Sequence, residues 1–300
     1  MREPKKKPDG IPEHLGLAYD VWATIGDNGK IDDKERDQWL DGLVQASGQP
    51  RFLKSYRIAY ERWLATLAGP GHHTFVAHTH SRLLIGHGQP APTEVGLTLH
   101  HTWGVPVIPG SALEGLLAHY VDTCYGPDRQ EDGSTVHDSS RQPYAGPRYD
   151  TRTGRAIEQP GSFHTRLFGA PPVIDPLGNA HPARRGELIV HDAWWVPPSD
   201  EAGQPFLLRD VITPHHATYY RSHAGRDPSS ALPNDYDDPI PISFVTIRPR
   251  TAFLVALSCR DPALLRRAVE YLAGALTRWG VGAKTAAGYG RLAITDSDQT

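Results

Sequence analysis

The residues with the clearest capacity for chemistry lie near the end of the chain, in a glycine-rich stretch with one lysine. The stretch spans residues 279–291 and reads WGVGAKTAAGYGR. Glycines adopt positive φ and bring N–H groups close to a partner, and a lysine ammonium is a mobile cation suited to phosphate. The stretch therefore predicts a cradle for a polyanion, with the candidate binding residues Gly280, Gly282, Lys284, Thr285, Gly288 and Gly290, flanked by Arg278 and Arg291. The simpler alternative is a glycine-rich connection with an exposed lysine.

The elements on either side of this stretch restrict the kind of anion site. Residues 262–279 place apolar side chains at helical spacing, with Asp261 as the N-cap and Pro262 at the first helical position. Residues 289–295 alternate as a strand. A Walker A loop follows a strand and opens a helix, so that the helix N-terminus faces the phosphates. The order helix, loop, strand therefore argues against nucleotide hydrolysis.

A second candidate for phosphate binding is the predicted start of a helix within residues 107–125. Pro109 and Gly110 predict a tight turn. Ser111, followed three residues later by Glu114, predicts a capping box. By itself this helix start says little about chemistry, although the unpartnered N–H groups at a helix N-terminus favour phosphate.

The composition limits the class of protein. A chain of 300 residues with 39% hydrophobic residues can build a globular core, and a net charge of −3 excludes a global basic surface, so a nucleic-acid site must be a local patch. No run of about 18 apolar residues is present, and the N-terminus lacks an apolar signal stretch, so we expect a cytoplasmic protein without membrane contact. The two cysteines, Cys124 and Cys259, form no zinc pattern, and the histidine pairs have no third ligand at a supporting spacing. We therefore expect no metal and no cofactor.

The pattern along the chain predicts two parts. Residues 1–70 predict a basic arm and a helical extension, with helices over residues 31–46 and 51–67. Residues 71–300 predict the main domain, interrupted around residues 126–187 by an insertion that is rich in Pro, Gly, Ser, Asp and Arg in its first part. Such a composition predicts a long or partly disordered loop over residues 126–161, and a short helical turn is expected at residues 163–168.

The main domain predicts an α+β fold. Its strands are expected at residues 74–86 and 187–196, in a hairpin of residues 242–247 with 251–258, and after the glycine-rich stretch. With the two helices this is the order strand, helix, strand, strand, helix, strand. That order predicts a ferredoxin-like (RRM-like, βαββαβ) architecture, which RNA-recognition modules also use.

Three motifs in this order carry a family resemblance. PGSALEG (residues 109–115), RLFG (residues 166–169) and GVGAKTAAGYG (residues 280–290) resemble the RAMP superfamily of CRISPR-associated proteins. RDVITPHHATYY (residues 209–220) and LPNDYDDPIPISFV (residues 232–245) are similar, within that superfamily, to the sixth-subunit family of the Cmr, type III-B, RNA-guided effector complex. The resemblance covers about residues 74–295.

The resemblance implies a non-catalytic building block. Subunits of this family hold the guide RNA backbone toward its 3′ end, at one end of the filament beside the repeated backbone subunit, so the implied partners are guide RNA, target RNA and other Cmr subunits. The family's glycine-rich loop falls on residues 280–290, and its helix-start motif falls on Pro109, Gly110, Ser111 and Gly115. The resemblance implies that both lie near the guide backbone. Glu114 stands where a lysine is common, and an arginine often seen later in that helix is absent, with His119 nearby. Because an acid repels phosphate, this helix is expected to bind RNA less directly than in relatives.

The alternative from another class is a metal-independent endoribonuclease, since RAMP relatives that process guide precursors use a histidine on the same fold. RNA cleavage by the 2′-hydroxyl needs an acid–base pair and a cation. The candidates are His215, His216 and Tyr219 with Lys284, or His72 or His73. A metal-assisted nuclease would instead need the carboxylates of Asp235, Asp237 and Asp238. No spacing selects any of these sets, and a protein-binding adaptor without RNA contacts is a third alternative.

Overall fold

The computed structural model describes residues 14–21, 33–48, 53–89, 91, 93, 95–128, 138–174, 178–199, 204–213 and 241–294. The helices in this part are α1 (Leu15–Val21), α2 (Asp33–Ser47), α3 (Leu53–Thr66), α4 (Gly110–Tyr125), α5 (Ser162–Phe168) and α6 (Pro262–Arg278). The strands are β1 (His72–Thr79), β2 (Val107–Ile108), β3 (Arg148–Tyr149), β4 (Ala156–Glu158), β5 (Gly169–Ala170), β6 (Val173–Ile174), β7 (Ala180–His181), β8 (Arg184–Arg185), β9 (Ile189–Val190), β10 (Ala193–Trp195), β11 (Leu207–Ile212), β12 (Ile242–Ile247), β13 (Ala252–Ser258) and β14 (Leu292–Ile294). The predicted basic arm, and the candidates at residues 215, 216, 219, 235, 237 and 238, lie outside the described residues.

The centre of the domain is a six-stranded antiparallel sheet with the order β14-β1-β13-β10-β2, in which β9 also pairs with β13. Strand β13 is buried at every residue after Ala252. It is an inner strand, since β1 pairs along one edge, from His72–Ser258 to His78–Ala252, while β9 and β10 occupy the other edge. Successive side chains of a strand point to opposite faces, so the continuous burial means that both faces of β13 are covered. The prediction of a mixed α+β domain is confirmed.

The predicted hairpin between residues 242–247 and 251–258 is wrong. Strand β12 pairs with β11, from Leu207–Ile247 to Ile212–Ile242, and forms a separate two-stranded sheet. Both edges of β13 are already occupied, so β12 has no place beside it. The side chain of Thr79 stabilises the turn between β12 and β13. Its hydroxyl donates to the Arg248 carbonyl at 2.8 Å and accepts from the Thr251 N–H at 2.8 Å.

Helix α6 begins where the sequence predicts. The Asp261 carboxylate accepts from the N–H groups of Ala263 and Leu264 at 2.8 and 3.3 Å, and Pro262 occupies the first helical position. Such a cap stabilises a helix by about 1 kcal/mol. The apolar face packs on β1 and β13 and against α4, through buried Leu264, Leu265, Ala268, Leu272, Ala275 and Leu276. No helix in the described part of the chain has the length and apolar character needed to cross a bilayer.

The N-terminal helices pack on the two sheets. Helix α2 lies against β11 and β12, where Arg209 makes ion pairs of 3.3 Å with both Asp37 and Asp41, one helical turn apart. Helix α3 lies against β10, where Trp63 stacks on Trp194 with ring centres 4.9 Å apart. Helices α2 and α3 agree within two residues with the ranges predicted from apolar spacing.

The insertion around residues 126–187 contains more structure than its composition predicts. Residues 138–174 and 178–187 include α5 and three short antiparallel pairs, β3 with β4, β5 with β8 and β6 with β7. Helix α5 anchors this part, because its Leu167 and His164 are buried and it packs against α4. The expected loop of residues 126–161 is therefore corrected, in residues 138–161, to a 3₁₀ turn and the β3–β4 pair. Helix α5 lies where the sequence predicts a helical turn.

Candidate nucleic-acid interface

The glycine-rich loop leaves α6 at Trp279 and is fixed to the chain that follows β1. The Ala283 N–H donates to the Leu84 carbonyl at 2.8 Å, and the Gly290 N–H donates to the Arg82 carbonyl at 2.7 Å. Inside the loop, the Val281 N–H donates to the Gly290 carbonyl at 2.9 Å. The loop therefore closes on itself before the chain enters β14.

The N–H groups left for a ligand belong to the middle of the loop. Gly280, Gly288 and Gly290 donate to carbonyls of the protein, so these glycines build the loop. Lys284 lies in the left-handed region with φ of 59°, and residues 285–287 form one 3₁₀ turn. Within residues 280–290, the N–H groups that donate to no backbone carbonyl of the described residues are those of Gly282, Lys284, Thr285 and Ala286. Of the predicted cradle residues in the loop, these four are therefore the ones whose N–H groups remain available to a ligand.

A groove of about 630 Å³ separates this loop from α4. The α4 side consists of Ala112, Leu116 and His119, which share one helical face because they lie four and three residues apart. The opposite side includes Gly282, Thr285 and Ala286 from the loop, with Arg278 and Trp279 at the end of α6 and Arg291 where the loop ends. Three of the four residues with unused N–H groups therefore line the groove.

Two arginines supply the positive charge of the groove, and the protein already orients both. Arg278 donates to the Tyr120 hydroxyl at 3.3 Å. Arg291 donates to the Thr277 carbonyl at 3.3 Å and to the Arg278 carbonyl, at the end of α6. Neither arginine has a carboxylate partner within the described residues. Burial raises the pKa of Tyr120, so its phenol stays neutral and leaves the charge of Arg278 uncompensated.

Lys284 occupies a different position from the one expected of the loop's central cation. Its ammonium lies 5.7 Å from the centre of the Phe244 ring on β12, and Lys284 does not line the groove. On the same side, the Tyr289 hydroxyl hydrogen-bonds to the Asp210 carboxylate, which also pairs with Arg82 at 3.2 Å. This side of the loop therefore braces it against the β11–β12 sheet.

The predicted capping box at the start of α4 is wrong. The helix begins at Gly110 with Pro109 as its N-cap residue, and Ser111 is exposed within the first turn without a capping hydrogen bond. The carboxylate of Asp192 takes that role, because it accepts from the Gly110 N–H at 2.7 Å. An acid already occupies this helix start, and Pro109, Gly110 and Ser111 lie outside the lining of the groove.

The α4 side of the groove consists of residues that the sequence did not single out as binding candidates. The ring of Trp279 lies 5.2 Å from that of His119 and 5.0 Å from that of Tyr120. Only the spacing of Ala112, Leu116 and His119 along a predicted helix could have indicated this wall. Glu114 does not line the groove, so its carboxylate does not face a phosphate that is bound there.

The sheet with its two helices and the loop that follows α6 define a known class of protein. Residues 76–293 match the family model of the RAMP superfamily, and the chain belongs to that superfamily. Within it, the chain is 35% identical over 231 residues to the CRISPR system Cmr subunit Cmr6 of Pyrococcus furiosus. The aligned part covers 71% of this chain and 65% of that relative, so it spans less than two thirds of the relative's length. The resemblance stated from the motifs is confirmed.

Two solved structures are similar to this chain. A chain in the cryo-EM structure of the type III-B Cmr-beta bound to cognate target RNA matches with a TM-score of 0.51 and 16% identity, over 90% of this chain and 77% of that one. The crystal structure of Cmr6 from Pyrococcus furiosus matches with a TM-score of 0.41 and 26% identity, over 75% of this chain and 98% of that one. The first likeness supports the fold.

Proposed function

We propose that the chain is a non-catalytic structural subunit of a type III-B CRISPR (Cmr) effector in antiviral defence. It binds the guide RNA backbone toward its 3′ end and caps the filament of the repeated backbone subunit. The observation that carries the proposal is the groove between α4 and the glycine-rich loop, in a RAMP chain similar to Cmr6. Its partners are guide RNA, target RNA and the other Cmr subunits.

The chemistry of the groove suits RNA of any sequence. Its donors are the N–H groups of the loop and the guanidinium groups of Arg278 and Arg291, and its lining contains no carboxylate within the described residues. Such donors bind phosphate oxygens, which are the same at every nucleotide. Binding that does not depend on the bases fits a guide RNA whose sequence varies and which recognises its target by base pairing. Trp279 adds an aromatic ring beside the cations, a combination that single-stranded RNA sites use for stacking.

The strand order supports a ferredoxin-like arrangement of the main domain. In the series β1, α4, β10, β13, α6, β14, the last, first, third and second strands lie side by side. That is the order of the split βαβ fold, with both helices as connections between strands. We assign residues 71–300 to this domain, residues 1–70 to a helical extension, and residues around 126–187 to an insertion.

The groove favours binding over cleavage. Acid–base cleavage of RNA needs two groups that exchange protons. His119 is the only imidazole or carboxyl side chain among the described residues that line the groove. The high pKa of Tyr120 disfavours a role for this tyrosine as a base. A histidine-dependent endoribonuclease is therefore the alternative outcome of the following test.

We expect the double variant Arg278→Ala/Arg291→Ala to bind single-stranded RNA at least tenfold more weakly than the wild type. Losing two phosphate contacts should make the slope of log affinity against log salt shallower by about 1.4, since each contact contributes about 0.7 for a single strand. Fluorescence anisotropy with labelled RNA across a salt series measures both quantities. Lys284→Ala should have a smaller effect, because Lys284 lies against Phe244.

The matched control is Arg152→Ala/Arg266→Ala, which removes two exposed arginines outside the groove. Unchanged affinity and slope in the groove variant would contradict the proposed site. Site-specific cuts in the labelled RNA would favour the endoribonuclease. Assembly with Cmr subunits, without any RNA bound by the wild-type chain, would favour the protein-binding adaptor.

A further inference from the structure

A second pocket, of about 680 Å³, lies at the opposite end of α6 and shares no lining residue with the groove. Its lining includes Pro262 at the start of α6, whereas the groove includes Arg278 at the end. The rise along a helix separates these residues by about 24 Å. A ligand of this pocket can therefore be proposed and tested separately from RNA binding in the groove.

Two acidic groups lie at this pocket, Glu187 in its lining and Asp261 beside it, and both pair with Arg166. Arg166 on α5 donates to both carboxylate oxygens of Glu187, at 2.8 and 3.2 Å, and to Asp261 at 2.9 Å. These hydrogen bonds from Arg166 hold the pKa of the Glu187 and Asp261 carboxyls below their usual range. The remaining oxygen of Asp261 caps α6. Both acids stay ionised, and the single positive charge of Arg166 offsets one of their two negative charges.

Two arginines that line the pocket are unpaired. Arg185 on β8 and Arg260 before α6 are exposed, and neither makes an ion pair within the part of the chain that the structure describes. The position of Arg185 is set by the adjacent Gly186, since a Cβ atom at Gly186 would collide with the Leu167 carbonyl oxygen. The backbone around Arg185 is thus held against the end of α5.

The RLFG motif gains a structural role from this arrangement. Arg166 pairs with both acids, Leu167 is buried under the contact with Gly186, and Gly169 pairs with Arg185 between β5 and β8. The groove uses none of these residues. The motif instead supports the backbone of Arg185, which lines the second pocket.

A serine between two histidines completes the pocket. The Ser258 hydroxyl lies 2.6 Å from His72 Nδ1 and 2.6 Å from His191 Nε2. A hydroxyl carries one proton, so it donates to one ring and accepts from the other. Burial lowers the pKa of His191, which keeps that ring neutral. With Nδ1 engaged by the serine, Nε2 is the nitrogen of His72 that is left for a ligand.

We propose that this pocket binds a phosphate group through Arg185 and Arg260, with His72 as a further polar contact. Guanidinium groups match phosphate oxygens with paired, charge-assisted hydrogen bonds. The volume is in the range of small-molecule sites, so the pocket accommodates a nucleotide as well as an inorganic ion. The phosphate is supplied either by the end of an RNA strand or by a free ion or nucleotide.

Calorimetric titration of the full-length chain with inorganic phosphate, and with short RNAs that carry or lack a terminal phosphate, tests this proposal. The wild type should bind phosphate saturably, and Arg185→Ala/Arg260→Ala should lower that affinity at least about tenfold. If the ligand is an RNA end, the terminal phosphate should strengthen RNA binding in the wild type and not in the variant. If the ligand is a free phosphate, the two RNAs should bind equally.

Arg152→Ala/Arg266→Ala is the control for loss of two exposed arginines, and thermal melting checks that every variant is folded. In the groove variant Arg278→Ala/Arg291→Ala, adding Arg185→Ala/Arg260→Ala should still remove saturable phosphate binding, so failure of one site is distinguishable from failure of the other. Absence of saturable phosphate binding in the wild type, or equal affinity in the Arg185→Ala/Arg260→Ala variant, would overturn the proposal.

Discussion

Gly290→Ala is expected to lower the free energy of unfolding by about 3 kcal/mol. Gly290 has φ of 74°, and a Cβ atom there would collide with the Val281 carbonyl oxygen. The same residue holds the loop through its carbonyl, which accepts from the Val281 N–H, and through its own N–H, which donates to the Arg82 carbonyl. Moving it away would break both hydrogen bonds two residues before buried Leu292. Strain and the loss of these bonds therefore act together.

Gly288→Ala is the matched control. Gly288 also has positive φ, at 87°, but a Cβ atom there would meet nothing within 4 Å. Only the conformational penalty remains, so we expect a loss of about 1 kcal/mol. Denaturant unfolding followed by tryptophan fluorescence measures both variants. Equal losses would show that the tight closure of the loop at Gly290 does not stabilise the protein.

His164 is expected to make the wild-type protein lose stability as the pH falls from 6.5 to 4. Its side chain is buried in α5, and its Nδ1 has no hydrogen-bond partner within the described residues. Burial lowers its pKa from 6.5 to about 4, with partial compensation from Asp122. Between these values the unfolded chain binds a proton that the folded chain excludes, so stability falls with pH. The shift corresponds to about 3 kcal/mol.

His164→Phe removes this titration and keeps an aromatic ring beside Phe168, whose centre lies 4.8 Å from that of His164. The variant should lose about 3 kcal/mol less than the wild type over the same pH interval. His100 and His191, whose pKa values burial also lowers, contribute equally in both proteins. Identical slopes for wild type and His164→Phe would contradict a neutral, buried His164.

Sequence predicts best the elements whose causes are local. Helix α6 was predicted from Asp261, Pro262 and the spacing of its apolar residues, and the structure uses each of them. The pairing of β12 was predicted wrongly because it depends on which edges of β13 remain free. That depends on β1 and β10, which are distant in sequence. No local pattern in residues 242–258 contains this information.

The candidate site shows the same limit. The glycine-rich loop and its two arginines were identified from residue types, and Arg278 and Arg291 do lie together in the groove. The sequence could not predict that the Lys284 side chain points away from the groove. That orientation depends on its left-handed backbone conformation and on contact with Phe244 from another sheet. The capping of α4 by Asp192 was hidden for a similar reason, since 82 residues separate the donor from the acceptor. Contacts across the fold decide which candidates share a site.

The central claim is that RNA lies in the groove between α4 and the glycine-rich loop. The most direct measurement places a photoreactive benzoylphenylalanine at residue 119, and in a second protein at residue 174, within the full chain bound to its co-purified RNA. His119 lines the groove, whereas Ile174 is 71% exposed on the insertion. The account predicts RNA crosslinks from residue 119 and none from residue 174. Crosslinks from residue 174 alone, with RNA bound in both proteins, would contradict it.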